Sequence, residues 1–119
     1  LEKDDPRKYV DINVKGTLNV LEYCRKVNVD RLLFSTTVFD VSLAVQENIP
    51  LKPDTPYNFS YQGDHAIYVI TKNTAIELIK HYHEEYGLKY FIFRLEKKWK
   101  RKKQLKLESA SKVKLIFLV

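Results

Sequence analysis

The chain has 119 residues, of which 45% are hydrophobic and 13% aromatic, a composition that predicts one domain with a packed core and excludes a disordered chain. No apolar run approaches the roughly 20 residues of a membrane span, and the first residues lack the layout of a signal peptide, so we expect a cytoplasmic protein. A single cysteine, Cys24, excludes an intramolecular disulfide. The formal net charge of +6 raises the question of a nucleic-acid partner.

The positive charge is concentrated at the carboxyl end. Residues 96–119 contain nine Lys or Arg and two Glu, whereas residues 1–95 contain twelve Lys or Arg and thirteen Asp or Glu. This asymmetry is typical of a basic tail on a nearly neutral body, and it disfavours a nucleic-acid-binding fold. We therefore expect a body at 1–95 and a divergent lysine-rich tail at 96–119, whose last seven residues are either a strand or an unpaired end. Because the chain begins with leucine and contains no methionine, we expect it to be a fragment.

The first element is a predicted helix from Asp5 to about Val27, because its apolar residues recur at helical spacing. Asp5 is the expected N-cap, Pro6 occupies the first helical position, and the helix is expected to end near Asn28. Residues 31–37 then form a short apolar run without alternation. Such a run is typical of a strand that is buried on both faces of a parallel sheet.

A long loop with proline, asparagine and glycine follows at 38 to about 63. Asp64 is the predicted cap of a second helix that runs to about Tyr86 and stops at Gly87, and residues 88–94 are a second predicted buried strand. The order of helix, strand, loop, helix and strand predicts a parallel α/β sheet. The loop leaves the carboxyl end of the first strand, which is where such sheets bind ligands.

Tyr68 and Lys72 stand four residues apart near the start of the second helix, so both side chains lie on one helical face. If this face lines a nicotinamide pocket, we expect the ammonium to lower the pKa of the phenol, and Tyr68 to exchange a proton with a substrate hydroxyl. The pair alone is a weak signal in a chain with eight tyrosines and many lysines. The alternative is a surface lysine that packs beside a half-buried tyrosine.

Five segments, in their order along the chain, resemble the NAD-dependent epimerase/dehydratase family, which is the extended short-chain dehydrogenase/reductase group acting mostly on nucleotide sugars. The first contains the pattern Asn-x-x-Gly-Thr of a family helix, and the second resembles the family strand that ends in the serine or threonine of the catalytic triad. The third resembles the substrate-facing loop, the fourth the Tyr-x-x-x-Lys helix and the fifth the strand that leads to the sugar-binding region. They are residues 5–22, 31–37, 47–57, 68–78 and 85–95.

The resemblance implies a fold and a set of roles. It implies part of a Rossmann-like doubly wound parallel sheet, with Tyr68 as the acid/base and Lys72 as a second proton-relay residue that also bonds the nicotinamide ribose. Thr37 or Thr36 would orient the substrate hydroxyl, and both stay open because the residues that follow the strand are two positions closer than in the family pattern. Tyr57 also precedes the helix, and we exclude it as the acid/base.

One part of the family pattern is missing. The family binds its dinucleotide through a glycine-rich turn, but this chain contains three glycines, Gly16, Gly63 and Gly87, without that spacing. NAD or NADP is the implied cofactor and a nucleotide sugar the implied substrate of the parent family, whereas for this chain we expect no stable NAD binding and no turnover. One alternative is a small basic module whose tail binds nucleic acid or an acidic partner. Another is a remnant that does not fold, because its sheet edges are unpaired.

Overall fold

The structure is a computed structural model, and it describes residues 5–37, 52, 54–63, 65–95 and 115–118. Its elements are α1 (Pro6–Tyr9), a π-helical segment (Val10–Lys15), α2 (Gly16–Val27), β1 (Arg31–Thr37), α3 (Ala66–Tyr86), β2 (Tyr90–Leu95) and β3 (Leu115–Leu118). This order confirms the predicted α/β class. In the part of the chain that the structure describes, no helix has both the length and the apolar character to cross a membrane.

The first predicted helix is present but it is not uniform. The side chain of Asp5 accepts a hydrogen bond from the backbone N–H of Arg7, and Pro6 is the first helical residue, as predicted. Between α1 and α2 the backbone widens, and the N–H of Gly16 bonds the carbonyl of Asp11, five residues earlier. The helix ends at Asn28, which adopts a left-handed conformation with φ of 51°.

The second predicted helix begins slightly later than expected. Asp64, the predicted cap, lies outside the described residues, and the N-cap position belongs to His65, whose side chain makes no capping hydrogen bond. The predicted start is therefore wrong by one residue. The predicted end is confirmed: α3 stops at Tyr86, and Gly87 has φ of 71°, a conformation that favours glycine.

The three strands form one parallel sheet in the order β2-β1-β3. Along β1 and β2, Leu32 pairs with Tyr90, and the register continues to the ends of both strands. On its other side β1 pairs with β3. The parallel sheet is therefore confirmed, and of the two alternatives for the last residues of the chain, the structure has the strand.

The two faces of the sheet differ. Leu32 and Phe34 point to the face that α2 and α3 cover, and they form the core together with Leu21, Cys24, Val29, Ala75, Ile76, Ile79, Tyr82 and Leu88. On the opposite face Phe91 is 52% exposed and its ring centre lies 5.0 Å from that of Phe93. The prediction that the second strand is buried on both faces is therefore wrong, because the helices that the structure describes pack on one side of the sheet.

Candidate active site

Tyr68 and Lys72 lie in the first two turns of α3, four residues apart. Lys72 is only 5% exposed, and its ammonium nitrogen lies 4.3 Å from the centre of the Phe34 ring in β1. Phe34 is itself buried in the core, so the lysine points toward the sheet. The alternative of a surface lysine is therefore wrong, and the structure brings Lys72 next to the strand that was predicted to carry the catalytic threonine.

The two candidate threonines end β1. Thr36 lies two residues beyond Phe34 and so on the same face of the strand. It is 4% exposed, and its Oγ1 atom has no hydrogen-bond partner among the described residues. Thr37 is the last residue of the strand. Its backbone is described, but its side chain is not. Thr36 is thus on the side of the sheet that Lys72 faces. The choice between the two threonines stays a prediction.

Burial determines the protonation of the two helical side chains. It lowers the pKa of Lys72 to about 8 and raises the pKa of the half-buried Tyr68. The predicted lowering of the phenol pKa is therefore wrong, because desolvation acts on Tyr68 in the opposite direction. At neutral pH the phenol keeps its proton, while the lysine loses its proton far more easily than an exposed one. Of the two groups, the Lys72 amine therefore has the pKa closer to neutral pH, the range in which a side chain exchanges protons readily.

Asn13, in the π-helical segment, is hydrogen-bonded to the first half of α3. Its Nδ2 donates a hydrogen bond to Oγ1 of Thr71 over 3.0 Å, and Thr71 directly precedes Lys72. The buried Thr17 in turn donates its hydroxyl to the backbone carbonyl of Asn13 over 2.6 Å. In the sequence, Asn13 and Thr17 are recognisable only as part of the Asn-x-x-Gly-Thr pattern. Hydrophobic periodicity could not reveal this contact, since it depends on how two helices pack.

Arg94 connects the sheet to the predicted substrate-facing loop. It pairs with Thr36 in the register of β1 and β2. Its guanidinium donates to the carbonyl oxygens of Lys52 and Thr55, over 3.4 and 3.3 Å. These carbonyls belong to the segment 47–57, of which only residues 52 and 54–57 are described. The described end of the loop therefore lies against the carboxyl end of β2, beside the candidate threonine.

These groups fit one end of an NAD-type cofactor. No ion pair between described residues includes Lys72, so its ammonium can donate hydrogen bonds to ribose hydroxyls, and no described residue bonds the buried Thr36 hydroxyl. The residues present do not fit the pyrophosphate end of such a cofactor. Gly63 and Gly87 have positive φ, but Gly63 lies at the far end of the long connection between β1 and α3, and Gly87 follows α3, so neither lies in a short turn that leads directly from a strand into a helix.

Comparison with known proteins agrees with this geometry. The sequence model of the NAD dependent epimerase/dehydratase family matches residues 2–99. A candidate UDP-glucose 4-epimerase of Methanocaldococcus jannaschii is 38% identical over 71% of this chain and 26% of its own length. A UDP-glucuronate 4-epimerase of Thermodesulfobacterium geofontis is 34% identical over 76% of this chain and 26% of its own length. The chain thus spans about a quarter of these relatives.

A solved structure has the same fold. The UDP-N-acetylglucosamine 4-epimerase from Methanobrevibacter ruminantium M1, solved in complex with UDP-N-acetylmuramic acid, superposes with a TM-score of 0.64 at 24% identity. The superposition covers 76% of this chain and 27% of that structure. It therefore confirms the Rossmann-like architecture that the parallel sheet and its helices indicate. Since the family model matches most of the sequence, the chain belongs to the NAD-dependent epimerase/dehydratase family.

Proposed function

We propose that this chain is the part of a nucleotide-sugar epimerase that carries the proton-transferring residues. The observation that carries the proposal is the burial of Lys72 against Phe34, with a pKa of about 8. Burying a lysine without a carboxylate partner costs stability, and such groups cluster at functional sites. The helix places Tyr68 one turn before this lysine, and β1 ends with Thr36 and Thr37 beside it.

The proposed chemistry assigns one step to each side chain. In its phenolate form, Tyr68 takes the proton from the sugar hydroxyl whose carbon is oxidised, and the phenol so formed gives this proton back to the same oxygen when the ketone is reduced, which regenerates the phenolate. Lys72 holds ribose hydroxyls and supplies positive charge near the phenolate that forms. The hydroxyl of Thr36 or Thr37 orients the sugar hydroxyl. NAD, when bound, supplies the hydride acceptor and donor for these steps.

The substrate class rests on the relatives. The two similar proteins are named for UDP-glucose and UDP-glucuronate, and both are 4-epimerases by name. A UDP-sugar is therefore the proposed substrate, and inversion at carbon 4 the proposed reaction. The part of the loop held by Arg94 is the proposed substrate-facing wall, because it lies at the carboxyl end of the sheet.

The chain by itself is proposed to bind NAD weakly and to be inactive. Its three glycines provide no phosphate-binding turn, so the pyrophosphate would have no ring of backbone N–H donors. Calorimetric titration of the chain with NAD should give no measurable heat of binding. A micromolar dissociation constant would contradict this part of the proposal.

The catalytic assignment can be tested in a chimera. Residues 5–95 of this chain would replace the matching segment of the Methanocaldococcus jannaschii relative, and conversion of UDP-glucose to its 4-epimer would be followed. We expect Tyr68→Phe to lower kcat by about 100-fold or more, since general acid–base catalysis contributes that much. Tyr23→Phe, at an exposed position of α2, is the matched control and should leave kcat unchanged. Full activity of the Tyr68→Phe chimera would show that another group transfers the proton.

The alternative of a basic binding module stays a prediction. All the lysines of the tail lie at 97–114, outside the described residues. A salt-dependent affinity for an oligonucleotide that disappears when these lysines are replaced by glutamine would favour the module. A cooperative unfolding transition would at the same time argue against the remnant that does not fold.

A further inference from the structure

The sheet contains one strand from outside the part of the chain that matches the family. The family model ends at residue 99, so the matching part supplies β1 and β2, whereas β3 (Leu115–Leu118) follows it. β3 pairs with β1 on the side that β2 does not use. The central position of β1 therefore depends on a segment that the family model does not include.

β1 has the character of an internal strand. Its pairing with β2 runs without a bulge from Leu32 to Thr37, and Leu32 and Phe34 are buried in the core. Edge strands in natural proteins usually carry a lysine, a proline or a bulge that discourages further pairing. Between Leu32 and Thr37, β1 has none of these, so without β3 its outer edge would attract another strand.

The backbone groups at this outer edge follow from the hydrogen bonds on the other side of β1. The N–H of Leu32 donates to the carbonyl of Lys89, next to β2, over 2.8 Å. Successive residues of a strand direct their N–H and C=O groups to opposite sides, so those of Leu33 face β3. Leu33 is in register with Phe117, and in a parallel ladder it bonds the residues before and after Phe117. Slow exchange of the Leu33 amide therefore reports that the edge is occupied.

The last residues of the chain suit this edge. β3 has the sequence Leu-Ile-Phe-Leu, without charge or proline, and apolar segments of this kind associate with other strands when they are left unpaired. Residues 96–114 connect β3 to β2. A segment of that length can reach at most about 60 Å, roughly three times the length of β2, so the chain can supply this strand to itself.

Charge favours the chain's own strand over that of a second copy. Residues 96–119 contain nine Lys or Arg and two Glu, so the segment that ends in β3 has a net positive charge. A dimer that exchanged its last strands would bring two such segments together, and like charges repel. This repulsion does not arise when β3 pairs within one chain.

We propose that the outer edge of β1 is a strand-binding site whose ligand is an apolar segment in parallel orientation, and that β3 is the chain's built-in ligand for it. Bound there, β3 satisfies the backbone groups of Leu33 and closes the edge to a second copy of the chain. The role of the lysine-rich tail is then to deliver this strand. The site involves neither Tyr68 nor Lys72, so it can be tested independently of the proposed epimerase chemistry.

Proline substitutions in β3 test the site through its backbone bonds. The double variant Ile116→Pro/Leu118→Pro removes the two N–H groups that face β1, whereas Phe117→Pro, the matched control, removes one that faces away. In dilute protein, hydrogen exchange followed by NMR should show the Leu33 amide exchanging at least about tenfold faster in the double variant and at its wild-type rate in the control. The Leu32 amide, bonded on the side of β2, should stay protected in both. Unchanged Leu33 exchange in the double variant, or equal acceleration in the control, would overturn the proposal.

A synthetic peptide supplies the strand in trans, and it keeps the test decisive if the double variant does not fold. The peptide has the sequence of residues 113–119, and its control carries the same two proline substitutions. We expect the first peptide to restore slow exchange at Leu33 in a saturable manner, and at Leu32 as well if the variant is unfolded without it. The control peptide should have no effect. Failure of the first peptide, or an equal effect of both, would overturn the proposal.

Sedimentation measures whether β3 closes the edge. The wild-type chain should be a monomer whose Leu33 protection does not depend on protein concentration, and the double variant should self-associate at high concentration unless the peptide is present. Leu33 protection that falls when the wild type is diluted would show that β3 comes from a second copy, and it would overturn the built-in arrangement. A double variant that keeps Leu32 protected and stays monomeric at high concentration would overturn the closing role.

Discussion

The ammonium of Lys72 lies over the ring of Phe34, with 4.3 Å between the nitrogen and the ring centre. The lysine comes from α3 and the phenylalanine from β1, so this pair joins the proposed catalytic helix to the strand with the candidate threonines. The aromatic face attracts the cation and offsets part of the cost of its burial. The remaining cost appears as the lowered pKa of Lys72.

We predict that Lys72→Met stabilises the chain at neutral pH and that this advantage shrinks as the pH rises. The pKa of Lys72 falls from 10.5 to about 8 on folding, so between these values the unfolded chain binds more protons and wild-type stability increases with pH. Below pH 8 the wild type bears the full cost of burying the protonated lysine, which is about 3 kcal/mol of unfolding free energy. The methionine variant avoids this cost. Urea unfolding of both proteins from pH 7 to pH 10 measures the difference.

The wild type must be compared with the variant because other groups also titrate above pH 9. Their effects on stability are the same in both proteins and cancel when the two unfolding free energies are subtracted. Lys26→Met, at an exposed position of α2, is the control and should show no such pH dependence. A stability gap between wild type and Lys72→Met that is constant over this range would mean that Lys72 has an ordinary pKa.

We predict opposite outcomes for two phenylalanines of the same sheet. Phe34 is 1% exposed in the core, so Phe34→Ala should cost about 3 to 5 kcal/mol, a large part of the stability of a domain this size. Phe91 is 52% exposed on the other face, and Phe91→Ala should cost less than about 1 kcal/mol. Chemical denaturation of each variant gives both values. Equal losses would mean that both faces of the sheet are covered in solution.

We predict that Tyr82→Phe lowers the free energy of unfolding by about 1 kcal/mol. The hydroxyl of Tyr82 in α3 donates to the carboxylate of Glu22 in α2 over 2.5 Å, and the tyrosine is 6% exposed. Burial and, after it, this hydrogen bond raise the pKa of Tyr82 to about 12, so the contribution of the bond should decline only as the pH rises above 10 toward that value. Thermal unfolding compares the variant with Tyr23→Phe, an exposed control that should match the wild type.

We predict that Asn73→Leu raises the free energy of unfolding of the free chain by about 1 kcal/mol. The substitution removes two buried polar atoms without partners and replaces them with apolar atoms of similar volume. Asn19→Leu, at an exposed site, should change stability by less than about 0.5 kcal/mol. Differential scanning calorimetry measures both. A destabilised Asn73→Leu would show that the amide has partners in solution.

Local chemistry was enough to predict most of the elements. Asp5, Pro6, Asn28 and Gly87 act where the sequence predicted, because capping and left-handed conformations depend on one residue and its neighbours. The π-helical segment was not predicted, since its apolar pattern resembles that of an ordinary helix. The N-cap of α3 was predicted at Asp64 but lies at His65, a difference of one residue that is common at helix boundaries.

The sequence by itself determined the order of helices and strands, the parallel sheet and the family, because hydrophobic period, turn residues and motif order are written along the chain. Only the tertiary structure decided that Lys72 lies over Phe34, that Asn13 bonds Thr71, and that Asn73 is buried without a partner. The physical reason is that burial and pairing depend on which residues meet across elements distant in sequence. Those contacts set the desolvation of each charge and amide, and therefore its pKa and its capacity to bind.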